Sequence, residues 1–411
     1  MTEHLPRGAL AGIRILDLTR VLAGPTATQI LGDLGAEVIK IERPAIGDDT
    51  RRWGPPFVKD AAGKDTTEST YYLGANRNKR SLTVDIAQPE GQALVKRLLK
   101  DCQVLVENYK VGGLAKYGLA FEQLKAEFPA LVYCSVTGFG QTGPRAEQPG
   151  YDYLAQGMGG LMSVTGPADG VPTKVGTAIA DIMTGMYAVT GILAALRHAE
   201  RTGEGQQVDV CLLDSQIAAL AYVATFYLNA GRLPARQGNG HPTIVPYNTY
   251  SCADGQMVIL ATGNDGHWQR FCAVAGRPEL AADPRFASNA QRVRNRAAIE
   301  PLLAAIFREQ PVAWWVDRLE AVEVPASPVL TIDQVFAEPQ VQHRQMDVAL
   351  PHPLAGSGSV RLVGSPLKMS ATPVTYRAAP PTLGQDSDTV LQQLLGLAPD
   401  EIAALRARGV V

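Results

Sequence analysis

The chain has 411 residues, enough for two domains or one large α/β unit. Hydrophobic residues make up 46%, and 38 basic residues stand against 40 acidic ones. That balance excludes nucleic acid or an anionic membrane as the main partner. Five scattered cysteines with no CxxC read as free thiols of a reducing compartment. Six histidines without HxxxH or HExxH spacing offer no metal site. The polar start MTEHLPRG lacks the apolar core of a leader, and no uncharged apolar run reaches membrane-spanning length. A cytoplasmic protein with no membrane partner is expected.

In chain order, IRILDL (13–18) reads as an apolar strand, and Gly24-Pro25 as a helix start with Pro at its first position. TATQILGDL continues that helix, and Gly35 suits its C-terminal cap. AEVIKIE (36–42) is the next strand, so the short crossover implies parallel pairing. A second cycle runs through EGQALVKRLLKD, with Leu94, Val95, Leu98 and Leu99 on one helical face, into the strand QVLVEN (103–108). A third runs through the helix AFEQLKAEF into ALVYCSV (130–136). This alternation predicts an α/β fold built on an open, parallel, Rossmann-like sheet. Residues 182–230 read as long helix interrupted by a turn and strand at RTGEGQQVDV, and 231–246 as a Gly/Pro linker. MVILATG and helices near 266–275 and 297–322 then suggest a smaller α+β domain. The expected organisation is a large domain over 1–224, a small one over 225–330, and a segment, 331–411, that returns to the large domain. That segment is Pro-rich and extended over 351–383 and ends in a helical tail.

GFGQTG (138–143) fits GxGxxG after a strand, but Pro144 and RAEQPGYD open no helix to hold a pyrophosphate. Dinucleotide binding is therefore disfavoured, although a glycine turn at a strand's carboxyl end can still line a crevice. The same holds for TRVLAGP (19–25), where glycine lets a ligand approach the backbone. Arg43, Arg51-Arg52 and NRNKR (76–80) each read as solvated faces when taken alone, and together they suit a phosphorylated ligand. GNGHP (238–242) is either a flexible connection or a mobile lid. No GxSxG elbow, Walker A sequence or kinase set occurs. Asp181, in VGTAIADIMTGMYAVTG, is a lone carboxylate among apolar neighbours. Its simplest local reading is a helix cap, and such an end would lower its pKa.

Several stretches, in one collinear order from about residue 10 onward, resemble the class III CoA-transferases. They include GIRILDLTRVLAGPTATQILGDLGAEVIKIERP, NRNKRSLTVD, VENY, VTGFGQTGP, GYDYLAQGMGGLMSVTG, AIADIMTG, RTGEGQQVDV and APPTLGQDSDTVLQQLLG. The resemblance makes Asp181 the catalytic nucleophile. It implies mixed-anhydride and aspartyl-CoA thioester intermediates, which keep the acyl group activated throughout. Coenzyme A and its acyl thioesters are then substrates, and no permanently bound cofactor or metal is implied. By the same likeness Val21, Leu22, Ala23, Arg43, Val84, Asn108, Tyr109, Lys116 and Tyr117 would meet CoA. Position 22 is Leu where formyl-CoA transferase has Gln, which weakens a formate or oxalate assignment. Position 116 is Lys rather than Arg, so a bidentate phosphate contact becomes a point charge.

The racemases of the superfamily use a His in a GHD motif, and this chain has Tyr151 in GYD there. Tyrosine, with an ordinary pKa of about 10, is a poor general base near neutrality, so proton transfer is the weaker alternative, beside CoA transfer to a monocarboxylate. Within the family the closest likeness is to succinyl-CoA:glutarate CoA-transferase and its dicarboxylate-using relatives. It lies in GDDTRRWGPPF, ESTYYLGANRNKRS, TIVPY after GNGH, and VFAEPQV. Glutarate, itaconate, mesaconate or malate is the expected kind of acceptor. Its free carboxylate needs a cation, and Arg51, Arg52, Arg77 and His241 are candidates. Gly238, Gly240 and His241 would belong to the lid. An interlocked homodimer is the remaining expectation that the resemblance carries.

Overall fold

Among the described residues, six strands form one parallel sheet. These are β1 (Arg14–Asp17) and β2 (Glu37–Glu42), then, past the hairpin β3 (Phe57–Lys59) and β4 (Asp65–Ser69), β5 (Lys79–Thr83), β6 (Val104–Glu107), β7 (Val132–Thr137) and β8 (Gln207–Cys211). The sheet order is β5-β2-β1-β6-β7-β8, and every neighbouring pair is parallel. Helices cover both faces, so strand residues such as Ile15, Leu16, Val104 and Leu105 are buried on either side. The structure, a computed structural model, describes residues 8–411. The start MTEHLPR, read as no leader, lies outside the described residues.

From β1 the chain moves outward through β2 to β5. It then returns to the other side of β1 at β6 and continues to β7 and β8. The loops leaving β1 and β6 therefore diverge, opening a crevice at the sheet's carboxyl edge, where open α/β sheets bind ligands.

The described chain divides into two compact units. One comprises residues up to Leu161, Val175–Thr225 and Gln340–Val411, and the other Met162–Lys174 and Phe226–Pro339. In the first, the hairpin β3/β4 and the C-terminal hairpin of β12 (Asp347–Pro351) and β13 (Ser359–Val363) share a small core of Val58, Leu73, Leu350, Val360 and Leu362. In the second, β9 (Tyr247–Ser251), β10 (Met257–Ala261) and β11 (Ala326–Pro328) form an antiparallel sheet under an aromatic core. There Phe307 stacks on Tyr250 at 4.7 Å and packs on Trp315 at 4.7 Å.

Four local expectations need correction. β5 begins inside NRNKR (76–80), read alone as a solvated face, yet Lys79 is buried, with its ammonium against Asp17 (3.1 Å), Asn76 (3.0 Å) and the Pro25 carbonyl (2.9 Å). AFEQLKAEF forms only the short helix Phe121–Leu124. The first helix is Ala23–Asp33, so Pro25 is its third residue. The region 297–322 is two helices, Arg296–Phe307 and Val312–Glu320, with Pro311 directly before the second.

The longest helix, Ile179–Thr202, has the length and composition to cross a membrane. Ala180, Thr184, Ala188, Ile192, Ala195 and Ala199 are all buried, so one face packs in the core. Gly185 permits close approach to the first helix, because a Cβ there would lie 2.7 Å from the Ala23 carbonyl oxygen.

Candidate active site

Two openings lie at the sheet's carboxyl edge. The first, of ≈ 990 Å³, is lined by Val21, Leu22 and Ala23, by Asn108 and Tyr109, and by Gly138, Tyr151 and Asp181. The second, of ≈ 1130 Å³, is lined by Arg43, Val84, Tyr109 and Tyr117 among others. Both include Arg20, Asp49 and Tyr109. Arg20 bridges to Asp49 at 3.3 Å and lies over the Tyr109 ring at 5.3 Å. The two openings are thus halves of one crevice divided by these three side chains.

Asp181 is 9% exposed and occupies the third position of the Ile179–Thr202 helix. The residue before that helix is Ala178, with no side-chain cap. Asp152 takes the capping role from another helix: its Oδ1 accepts from the Ala180 N–H (2.7 Å) and the Asp181 N–H (3.3 Å), and its Oδ2 from Gln156 (2.7 Å). Among the described residues no hydrogen bond or cation reaches the Asp181 carboxylate. Burial, and then the charge of Asp152, push its pKa up to about 7. This corrects the expectation that Asp181 caps the helix and is acidified by it. Desolvation of a buried carboxylate outweighs the field of a helix end. A carboxylate of this kind is poorly solvated when ionised, which suits a nucleophile.

The sequence profile of CoA-transferase family III matches residues 10–387. The chain belongs to that family. It is 49% identical to the succinate–glutarate CoA-transferase of Agrobacterium fabrum over 94% of this chain and 95% of that protein. It is 44% identical to the succinyl-CoA:glutarate CoA-transferase of Mus musculus, over 98% and 90%. The structure superposes on a CAIB/BAIF family protein from Brucella suis with a TM-score of 0.85 at 44% identity, covering 94% of this chain and 100% of that one.

Of the residues that the family likeness singled out, Val21, Leu22, Ala23, Asn108, Tyr109, Tyr151 and Asp181 meet in the first half of the crevice. Arg43, Val84 and Tyr117 meet in the second, where Tyr109 also reaches. Lys116 is exposed, with its ammonium 4.7 Å from the Tyr117 ring centroid, and does not line either half. Asn108 commits its amide to the protein: Oδ1 accepts from the Arg20 N–H (3.0 Å) and Nδ2 donates to the Arg20 carbonyl (2.7 Å).

Two of the four cations considered for a free carboxylate are engaged elsewhere. Arg51 is buried and donates to Glu42 (2.7 Å), Glu68 (3.0 Å), the Tyr72 hydroxyl (2.6 Å) and the Pro381 carbonyl (3.1 Å). Arg77 is buried against Asp33 (2.6 Å) and donates to the Val363 carbonyl (2.7 Å). Arg52 is exposed and donates to the Ala45 carbonyl at 3.4 Å. His241, Gly238 and Gly240 belong to the second unit. There the His241 N–H donates to the Tyr247 carbonyl (3.1 Å), Arg296 donates to the His241 carbonyl (2.6 Å), and Gly238 has φ 58. Among the described residues Arg20 and Lys110 supply the cations lining the first half.

Asp152 and Arg20 escaped sequence reading. Asp152 adjoins Tyr151 in GYD and opens DYLAQGM, so a polar residue heading a helix was its one signal. Arg20 sits inside TRVLAGP, overshadowed by its glycine.

Proposed function

We propose that the chain transfers CoA from succinyl-CoA to a dicarboxylate such as glutarate, with Asp181 as the nucleophile. The supporting observation is Asp181 itself, a buried carboxylate without a cation, lining a crevice at the switch point of a family III CoA-transferase. One Asp181 oxygen attacks the thioester carbonyl. The C–S bond breaks, leaving CoA thiolate and a mixed aspartyl–succinyl anhydride. The thiolate then attacks the aspartyl carbonyl, expelling succinate and forming an aspartyl-CoA thioester. The acceptor carboxylate displaces CoA from that thioester to give a second anhydride. Thiolate attack on the acceptor's carbonyl yields the new acyl-CoA and restores Asp181. Each step keeps the acyl group activated, so no energy input is needed. Water must stay out, because it would hydrolyse the anhydride.

The substrate reading draws on the names of the glutarate-using relatives and on Arg20 and Lys110, which line the half of the crevice that holds Asp181. A second carboxylate on the acceptor pairs favourably with such a guanidinium or ammonium. A homodimer completes the reading. It is supported by exposed apolar side chains on three mutually packed helices: Tyr153, Leu154 and Met158, Met186 and Tyr187, and Ile217. Sedimentation equilibrium reads that assembly, and a monomer across working concentrations would refute it.

An exchange assay with succinyl-CoA and a panel of acids tests the substrate class. Turnover of monocarboxylates with none of dicarboxylates would refute it. Incubation with succinyl-CoA followed by hydroxylamine tests the covalent route. The expected product is a hydroxamate at Asp181, seen by peptide mass spectrometry, and turnover without any adduct would refute the route.

A further inference from the structure

At the switch point the chain leaves β1 through Thr19, Arg20 and Val21 before entering the Ala23–Asp33 helix. Val21 has φ 71, in the left-handed region. A β-branched residue rarely adopts that backbone, because its side chain crowds the carbonyl. Unrestrained, such a residue favours its ordinary conformations by about 5- to 150-fold.

The turn is gripped from three directions. Lys40 Nζ, from β2, donates to the Thr19 carbonyl at 2.7 Å. Asn108, just past β6, holds both backbone groups of Arg20. Asp48 Oδ1 accepts from the Val21 N–H at 3.2 Å. The holders are themselves fixed: Lys40 and Asp48 are 3.0 Å apart with side chains wholly buried. Asp48 Oδ1 also accepts from the Thr50 N–H and hydroxyl at 3.0 and 2.8 Å.

We infer that Asn108, Asp48 and Lys40 are positioning residues for CoA transfer, holding the Thr19–Val21 turn in a left-handed conformation that sets the first-helix N-terminus against the Asp181 pocket. Val21, Leu22 and Ala23 line that pocket with Asp181. The packing of Gly185 on the Ala23 carbonyl, with no room for a Cβ, links the turn to the helix that carries Asp181. If Val21 relaxes, the pocket wall and this helix contact move together. Asn108 acts through the turn because its amide is engaged by Arg20.

A double-mutant cycle between Asn108→Ala and Val21→Gly tests this. Glycine adopts φ 71 without strain, so a turn containing it does not depend on the clamp. Asn108 is partly exposed, so its truncation is expected to leave the fold intact, which circular dichroism checks for each variant. Steady-state kinetics use whichever acyl-CoA and acid the parent turns over, so failure with succinyl-CoA would count against the substrate reading alone. Asn108→Ala is expected to lower kcat about tenfold or more, with KM for acyl-CoA nearly unmoved. In the Val21→Gly background the same change is expected to lower kcat less than about threefold. Any effect of removing the valine side chain divides out of that ratio. Equal losses in both backgrounds, a loss confined to KM, or no loss at all would overturn the inference.

Discussion

The first unit contains two kinds of buried carboxylate. Asp17, Asp33, Glu42 and Asp48 each face a Lys or Arg within 3.1 Å, and in every pair both side chains are at most 5% exposed. Asp181 is about as deeply buried and faces another carboxylate instead. The outcomes differ most between Asp17 and Asp181, while at Asp33 burial outweighs Arg77 and the pKa is raised. At Asp17 burial works to raise the pKa, but Lys79 and Lys40 hold it at about 2. At Asp181 burial meets no opposing cation, and Asp152 adds to it, giving about 7. Between these two, partnership rather than depth sets the pKa. Glu107, also buried and without a cation among the described residues, is likewise pushed up to about 7, so the raised pKa does not by itself mark a nucleophile.

Removing each kind should break the molecule differently. The largest effect is expected from Asp181→Asn, which should lower transfer by about a thousandfold or more while CoA still binds by calorimetry. The same change should stabilise the fold at high pH. An acid whose pKa is raised on folding resists ionisation in the folded state. Its penalty is absent below about 4 and complete above about 7. The rise from 3.8 to about 7 corresponds to on the order of 4 kcal/mol. Urea unfolding of Asp181→Asn should therefore gain on the parent at pH 8 and match it at pH 4. A gain at neither pH would show that Asp181 carries no such penalty.

Arg77→Ala leaves Asp33 buried without its cation, and should lose about 3–5 kcal/mol of stability in the same measurement. A loss under about 1 kcal/mol would show that Asp33 finds water. Arg20→Ala is expected to raise KM for a dicarboxylate acceptor about tenfold and leave a monocarboxylate of equal length unaffected. Equal effects on both acids would assign Arg20 to CoA instead. The smallest change is a shift in pH profile. The rate should rise as Asp181 ionises through about pH 7. Asp152→Asn keeps an acceptor oxygen for the helix and removes the charge, so its acid limb should move to lower pH. A limb that stays in place would mean that burial alone sets the value.

Most of the parallel sheet was legible in the sequence, because β1, β2, β6 and β7 are rich in Val, Ile and Leu, as strands buried on both faces tend to be. β5 was not, since Lys79 and Arg80 in NRNKR read as a solvated face and Ser81 follows them. They are tolerated only because Asp17, Glu37 and Glu42 lie across the sheet to receive them. Such pairing is a property of three dimensions that no local pattern records. Arg51 and Arg77 were misread for the same reason: a charged side chain looks alike in sequence whether it awaits a substrate or already holds a partner. Asp181 was singled out through family likeness and not through its surroundings, which suggested a cap. The true cap, Asp152, lies 29 residues earlier, and only the fold brings it to that helix end.

The partners of these buried arginines also set a timetable for synthesis. Arg51 donates to the carbonyl of Pro381, 330 residues later, and Arg77 to that of Val363, 286 residues later. At roughly 5–20 residues per second, a ribosome needs about 15–65 s to make the groups that complete sites begun near the N-terminus. Through that interval Arg51 and Arg77 lack these late acceptors, although their carboxylate partners Glu42, Glu68 and Asp33 are already made. A message truncated before Val363 would leave each of these two buried guanidiniums short of one backbone acceptor.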